Sequence, residues 1–132
     1  MSEQAVQRGI DNLMATFGRV PDGFQLMLDH APEAFAGYTT MRAFVMRDRH
    51  EGGALDMKTK ELIFVLLDTM AGNAAGAKAH LTQAMRRGLT AAELVEGLVQ
   101  VMMAAGITSW NLAGRAVLEH ALALAREAPA AR

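Results

Sequence analysis

The sequence predicts an all-α fold, and three observations carry that expectation. Alanine, leucine and methionine are strong helix formers and are abundant here, with ten methionines against 5% aromatic residues. Apolar residues recur at intervals of three and four, as one face of a helix requires. Helix-start and helix-stop residues separate these stretches, and no run alternates apolar and polar convincingly as a half-buried strand does. With 132 residues, 52% of them hydrophobic, the chain has the size of one domain with a sizeable core. About six helices with short joints are expected.

In order along the chain, residues 3–16 form an amphipathic helix with Ile10, Leu13, Met14 and Phe17 on one side. Gly18-Arg-Val-Pro21-Asp-Gly23 is a turn, with a short helix as an option over residues 24–29. His30-Ala-Pro32-Glu33 opens the next helix, because proline suits a first helical turn and a carboxylate suits its positive end. That helix runs to about Arg47, and residues 48–53 are a loop. Asp56 is a plausible N-cap for a helix reaching about Ala71, where Gly72-Asn73 signals a stop. Residues 74–87 form the following helix, with two arginines in its last turn and Gly88 as its left-handed terminator. Thr90-Ala-Ala-Glu93 reads as a capping box before a helix whose stripe is Leu94, Leu98, Val101, Met102 and Ala105. Gly106-Ile-Thr-Ser109 breaks it, and a last helix covers roughly residues 110–126.

Composition removes whole classes of function. The formal net charge of −1 provides no long-range field for nucleic acid or anionic lipid. The absence of cysteine excludes disulfides, cysteine nucleophiles, cysteine-ligated zinc and iron–sulfur clusters. The first residues lack the apolar run of a secretory signal, and a cytoplasmic location is expected. The longest uncharged run, Gly97 to Gly114, is too polar and glycine-broken for a membrane span. His30, His50 and His120 lack metal-ligand spacing, and Ser109 lacks a nucleophile-elbow context. No glycine-rich phosphate loop or basic-aromatic pattern is present. No metal, no nucleic acid and no membrane are therefore expected.

Three segments together resemble a known family. Leu55-Asp56-Met57-Lys58-Thr59-Lys60-Glu61-Leu62-Ile63 resembles the start of the central helix in the carboxymuconolactone decarboxylase/alkyl hydroperoxidase D-like superfamily. His80-Leu-Thr-Gln-Ala84-Met-Arg-Arg-Gly88-Leu-Thr90-Ala-Ala-Glu93-Leu resembles its His-x-x-x-Ala-x-x-x-Gly-x-Thr-x-x-Glu stretch. Gly106-Ile-Thr-Ser-Trp-Asn111-Leu-Ala resembles the start of its last helix. The resemblance covers about residues 50–122 and implies a single AhpD-like helical domain, residues 1–132, with that stretch as its core. Peroxidase-type members carry a Cys-x-x-Cys pair just before the histidine. Here Asn73 and Gly76 occupy those positions, and neither supplies the thiolate or the resolving thiol that peroxide reduction needs. The branch that remains resembles the γ-carboxymuconolactone decarboxylases, whose likeness implies a lyase without metal or organic cofactor. It also implies a homo-oligomer, trimer or hexamer. Glu61 and His80 match the family's glutamate and histidine.

The chemistry of those residue types agrees. Decarboxylation without a cofactor needs a substrate that is its own electron sink, and a group that protonates the carbon left behind. A histidine is suited to deliver that proton, and a carboxylate to orient the ring or relay the proton. The two meet if the helices on either side of Gly72-Asn73 pack antiparallel. Glu61 lies about eleven residues before that joint and His80 about seven after it, a difference of roughly one turn at ~1.5 Å per residue. Asp68, seven residues after Glu61, shares nearly the same face. It requires a cationic partner, a pocket or an oligomer seam. Asn73 is a hydrogen-bond donor to substrate or a plain helix stop. A small-molecule carboxylate substrate needs a cationic anchor, with Arg115 the first candidate beside Arg42, Arg47 and Arg87. Met70, Met102 and Met103 are expected to fill core or interface gaps.

Three functions compete on this reading. The first is a decarboxylase, or related lactone-processing enzyme, active in aromatic-compound catabolism. The second is a ligand-binding or assembly protein of the same fold; Phe17-Gly-Arg-Val-Pro-Asp-Gly-Phe24, closer to the peroxidase-type branch, speaks for it. The third is a proton-transfer isomerase using the same pair.

Overall fold

A computed structural model describes residues 2–128, and the chain divides into two compact units between Ala54 and Leu55. Among the described residues every regular element is helical, as expected. No helix among them is long and apolar enough to cross a membrane.

The first unit holds α1 (Glu3–Phe17), α2 (Asp22–His30) and α3 (Pro32–Val45). Ser2 caps α1 by accepting from the Ala5 N–H, and Gly18, at φ 72°, ends it. The optional short helix is real and starts two residues earlier than predicted, directly after Pro21. The buried stripe of α1 is Ala5, Gly9 and Leu13, and Met14 of the predicted face is exposed. The face is rotated because α3 comes very close: a Cβ on Gly9 would run into the Thr39 hydroxyl and the Phe35 ring. Arg42 lies buried on α3, donating 2.9 Å to Asn12 Oδ1 with its guanidinium over Phe17. The loop after α3 contains a 3₁₀ turn, Arg49–Glu51, closed by a capping box between Asp48 and Glu51.

The second unit is built on α4 (Met57–Met70) and α5 (Ala74–Arg86). Asp56 caps α4, accepting from the Thr59 N–H at 2.7 Å. Gly72 makes the stop, at φ 77°. Asn73 belongs to the next helix, not to the stop: its Oδ1 accepts from the Gly76 N–H at 3.1 Å and caps α5. Gly88, at φ 96°, follows α5 as expected. The Thr90–Glu93 capping box then opens α6 (Ala91–Ala105) with both reciprocal bonds made. Lys58 reaches Glu93 at 3.1 Å, joining the starts of α4 and α6.

The break after α6 is one residue, Gly106, rather than four. Helix resumes at once as α7 (Ile107–Ser109), widens into a π turn over Trp110–Gly114, and continues as α8 (Arg115–Glu127). Val65, Leu81, Leu94, Leu98, Val117 and Ala121 form the centre of the core, with Trp110 packed against it. Gly97 lets α6 close on α4, since a Cβ there would meet the Leu66 methyls at 3.0 Å. Two of the methionines expected to fill core or interface gaps lie outside the core. Met70 is exposed and Met103 is 81% exposed, so neither fills a core gap.

Candidate acid–base site

The buried positions of α4 are Met57, Glu61, Val65 and Thr69, a stripe at i, i+4, i+8 and i+12. Glu61 stands inside that stripe, 2% exposed, where an unpartnered carboxylate would be costly. Its partner comes from α5. His80 Nδ1 lies 2.7 Å from Glu61 Oε2, with the imidazole side chain 13% exposed.

The register follows from two pairings. Glu61 meets His80, and at the turn Asn73 N–H donates 2.8 Å to the Asp68 carbonyl. Both are centred on Met70–Ala71, as an antiparallel pair demands. The sequence placed the centre at Gly72-Asn73 and so expected an offset of roughly one turn. The turn is centred earlier, and the offset disappears.

Phe64 completes the setting. It follows Glu61 by three residues, hence on the same side of α4. Its ring stacks on the imidazole, centroids 4.4 Å apart and planes 15° from parallel. The imidazole is thus held by α4 twice, at its edge by Glu61 and on one face by Phe64. A carboxylate in its ionised form only accepts hydrogen bonds, and with Glu61 in that form Nδ1 is the donor of this one. The ring nitrogen that meets Glu61 is Nδ1, not Nε2.

The other predicted residues are not gathered in the same way. Asp68 is half-buried, and the partner seen for it is an amide rather than a cation: Asn73 Nδ2 donates to its Oδ1 at 3.4 Å. Asn73 is exposed and divides its amide between this bond and the α5 cap. Asp68 and Asn73 together lie over Gly76, where an added Cβ would strike the Asn73 amide and come within 2.7 Å of Asp68 Oδ2. Arg115 begins α8 with its side chain 70% exposed, paired with Glu119 at 3.1 Å. Of the other arginines, Arg42 is engaged by Asn12, and Arg47 donates to the Phe44 carbonyl at 2.7 Å. Arg87 is the exposed residue after α5.

Phe64 is the residue that sequence reasoning missed. Its signal was present, an aromatic one turn beyond Glu61, but the run Leu62-Ile-Phe-Val-Leu-Leu67 conceals it among equally apolar neighbours. His120 also has an unpredicted partner: Thr82 donates its hydroxyl to the Lys78 carbonyl and so accepts from His120 Nε2, 3.2 Å away. Among the described residues, no three histidine, aspartate or glutamate side chains gather as a metal ion would need.

Comparison with known proteins bears on the family and the fold. The model of the carboxymuconolactone decarboxylase family matches residues 32–127. The chain is also similar to the crystal structure of a candidate carboxymuconolactone decarboxylase from Burkholderia xenovorans LB400. That likeness has a TM-score of 0.86 at 28% sequence identity, over 96% of each chain. A search of curated proteins finds no match.

Proposed function

This chain belongs to the carboxymuconolactone decarboxylase family, and from that premise we propose that it is a cofactor-independent lyase. It removes CO2 from a small carboxylated ring or lactone, with His80 as the acid–base group and Glu61 as the residue that positions it. The observation that carries this reading is the 2.7 Å contact between His80 Nδ1 and the buried Glu61 carboxylate. Two ionisable groups held together with little access to water support a proton-transfer role.

The substrate supplies its own electron sink, a carbonyl β to the carboxylate or conjugated with that position. The bond from carbon to the carboxylate breaks, and its electron pair moves into the conjugated carbonyl. CO2 leaves and a dienolate remains. His80, protonated on Nε2, gives that proton to carbon; a C–H bond forms and the carbonyl is restored. A proton from water then recharges the imidazole. Glu61 touches only Nδ1–H, where it fixes the tautomer and stabilises the imidazolium that precedes transfer.

The test is CO2 release from carboxymuconolactones by the purified protein, with His80→Ala beside it. Release by the parent and its loss in the variant support the reading. Undiminished release by His80→Ala ends it. Solvent-deuterium exchange into a substrate without CO2 release identifies the isomerase reading, which the same pair would also serve. A homo-oligomer, trimer or hexamer, accompanies the proposal: Met103, Ile107 and Leu112 are large apolar side chains standing mostly in solvent, which a second copy would cover. Sedimentation at micromolar concentration checks it, and a monomer counts against it.

A further inference from the structure

The hydrogen bond to Glu61 restrains the imidazole at one edge. Small rotations about its Cα–Cβ and Cβ–Cγ bonds tilt the ring plane and carry Nε2 with it. A contact across the face of the ring restrains that tilt. Phe64 supplies that contact, 4.4 Å away and tilted by 15°. It does so from the same helix as Glu61, one turn on, so both constraints come from one rigid element.

We infer that Phe64 is a positioning residue: stacked on His80, it fixes the tilt of the ring about the Glu61 hydrogen bond, and so the line along which Nε2 exchanges its proton. This deepens the proposed function and rests on it. A proton passing from Nε2 to a dienolate carbon must arrive along the p orbital of that carbon, perpendicular to the plane of the substrate. The N–H bond lies in the imidazole plane. A flat dienolate whose plane stands across the Nε2–H axis is then protonated on one face. A ring free to tilt would deliver the proton off that line, and misplacement of about 1 Å costs on the order of 100-fold in rate. Phe64 is half-buried; its second effect is to keep water from the face of the ring beside the Glu61 bond.

Two measurements test this, one of them independent of catalysis. In the unaltered protein, the proton on His80 Nδ1 is expected as a downfield, slowly exchanging NMR signal that disappears in Glu61→Gln. Phe64→Leu, which keeps apolar bulk and removes the flat face, should broaden that signal into exchange with water, and Phe64→Tyr should keep it. In turnover, Phe64→Leu is expected to lower kcat by roughly 10- to 100-fold with KM held within about twofold, and Phe64→Tyr to restore kcat to within about threefold. In D2O, the parent should place deuterium on one face of the product carbon and Phe64→Leu on both. Phe64→Met replaces the leucine variant if that variant does not fold.

A signal as sharp in Phe64→Leu as in the parent, or no such signal in the parent, overturns the inference. Full kcat in a folded Phe64→Leu does the same, as does a tyrosine variant no better than leucine. If no carboxylated lactone is turned over at all, the proposed function fails, and the NMR comparison still decides the role of Phe64.

Discussion

Two carboxylates on α4 face the same neighbouring helix and come to different ends. Glu61, buried at the second turn, meets an imidazole at 2.7 Å. Asp68, half-buried at the last turn, meets an amide at 3.4 Å. The helices and the register are common to both pairs, so the difference lies in partner and in water. A charge held out of water gains much from an ionisable partner and loses much without it. A charge near the turn is solvated whether or not its partner is present, and there the amide serves chiefly to close the backbone. The second contact is a clasp for the register that the first one uses.

The largest test of this contrast is His80→Ala. It leaves Glu61 buried opposite an apolar methyl, and stability should fall by about 3 kcal/mol in urea unfolding, the lower end of the range for a broken buried pair because the imidazole edge reaches water. Decarboxylation should fall by at least ~100-fold. Stability equal to that of the parent would mean that Glu61 is protonated or hydrated, and that the two carboxylates are alike after all.

A pair of double-mutant cycles sharpens the point. Glu61→Ala with His80→Ala should show a coupling above about 1 kcal/mol. Asp68→Ala with Asn73→Ala should stay below about 0.5 kcal/mol, as exposed pairs do. Equal couplings would dissolve the distinction.

Asn73→Ala removes the α5 cap and should cost about 1 kcal/mol while leaving most of the activity. Activity lost beyond the loss of folded protein would move Asn73 from the clasp to the chemistry.

The smallest effect concerns Glu93, a third carboxylate, on the surface. The Thr90 N–H, the Lys58 ammonium and the Thr90 hydroxyl hold its carboxyl below the ordinary value of 4.5. A lowered folded value means a stabilisation present above the unfolded value and lost as pH falls through the folded one. Glu93→Gln should therefore flatten the acid limb of the urea midpoint below about pH 4.5 and leave the neutral region nearly unchanged. A parallel shift at all pH values would mean that the capping geometry matters and the charge does not.

Much of the helical frame could be read from the chain. Asp56, Thr90 with Glu93, and Gly88 carry their roles in residue type and spacing, and the structure uses each as predicted. Glu61 and His80 could be named from the family motif, and the contact itself depended on a register that cap residues alone left about a turn uncertain. What could not be read depends on rotation and on hydrogen-bond phase. That Phe64 and not Ile63 lies over the imidazole follows from its spacing of three from Glu61 only once the Glu61–His80 pairing is known, and in sequence both are simply apolar. The face of α1 moved away from Met14 because Gly9 admits α3, an effect of a missing side chain. Asn73 fits a stop and a cap equally well until Gly72 is seen to hold the positive φ.

The widened turn at Trp110–Gly114 has a consequence for how this chain tolerates change in length. A π turn houses one residue more than an α turn in the same span. Removing one residue there would give an uninterrupted α-helix with everything downstream in nearly the same phase. Val117 and Ala121 would then still face the interior they now fill. The span is in effect a stored insertion, and a one-residue deletion inside it should be far less harmful than one early in α8, which would turn all that follows by ~100°.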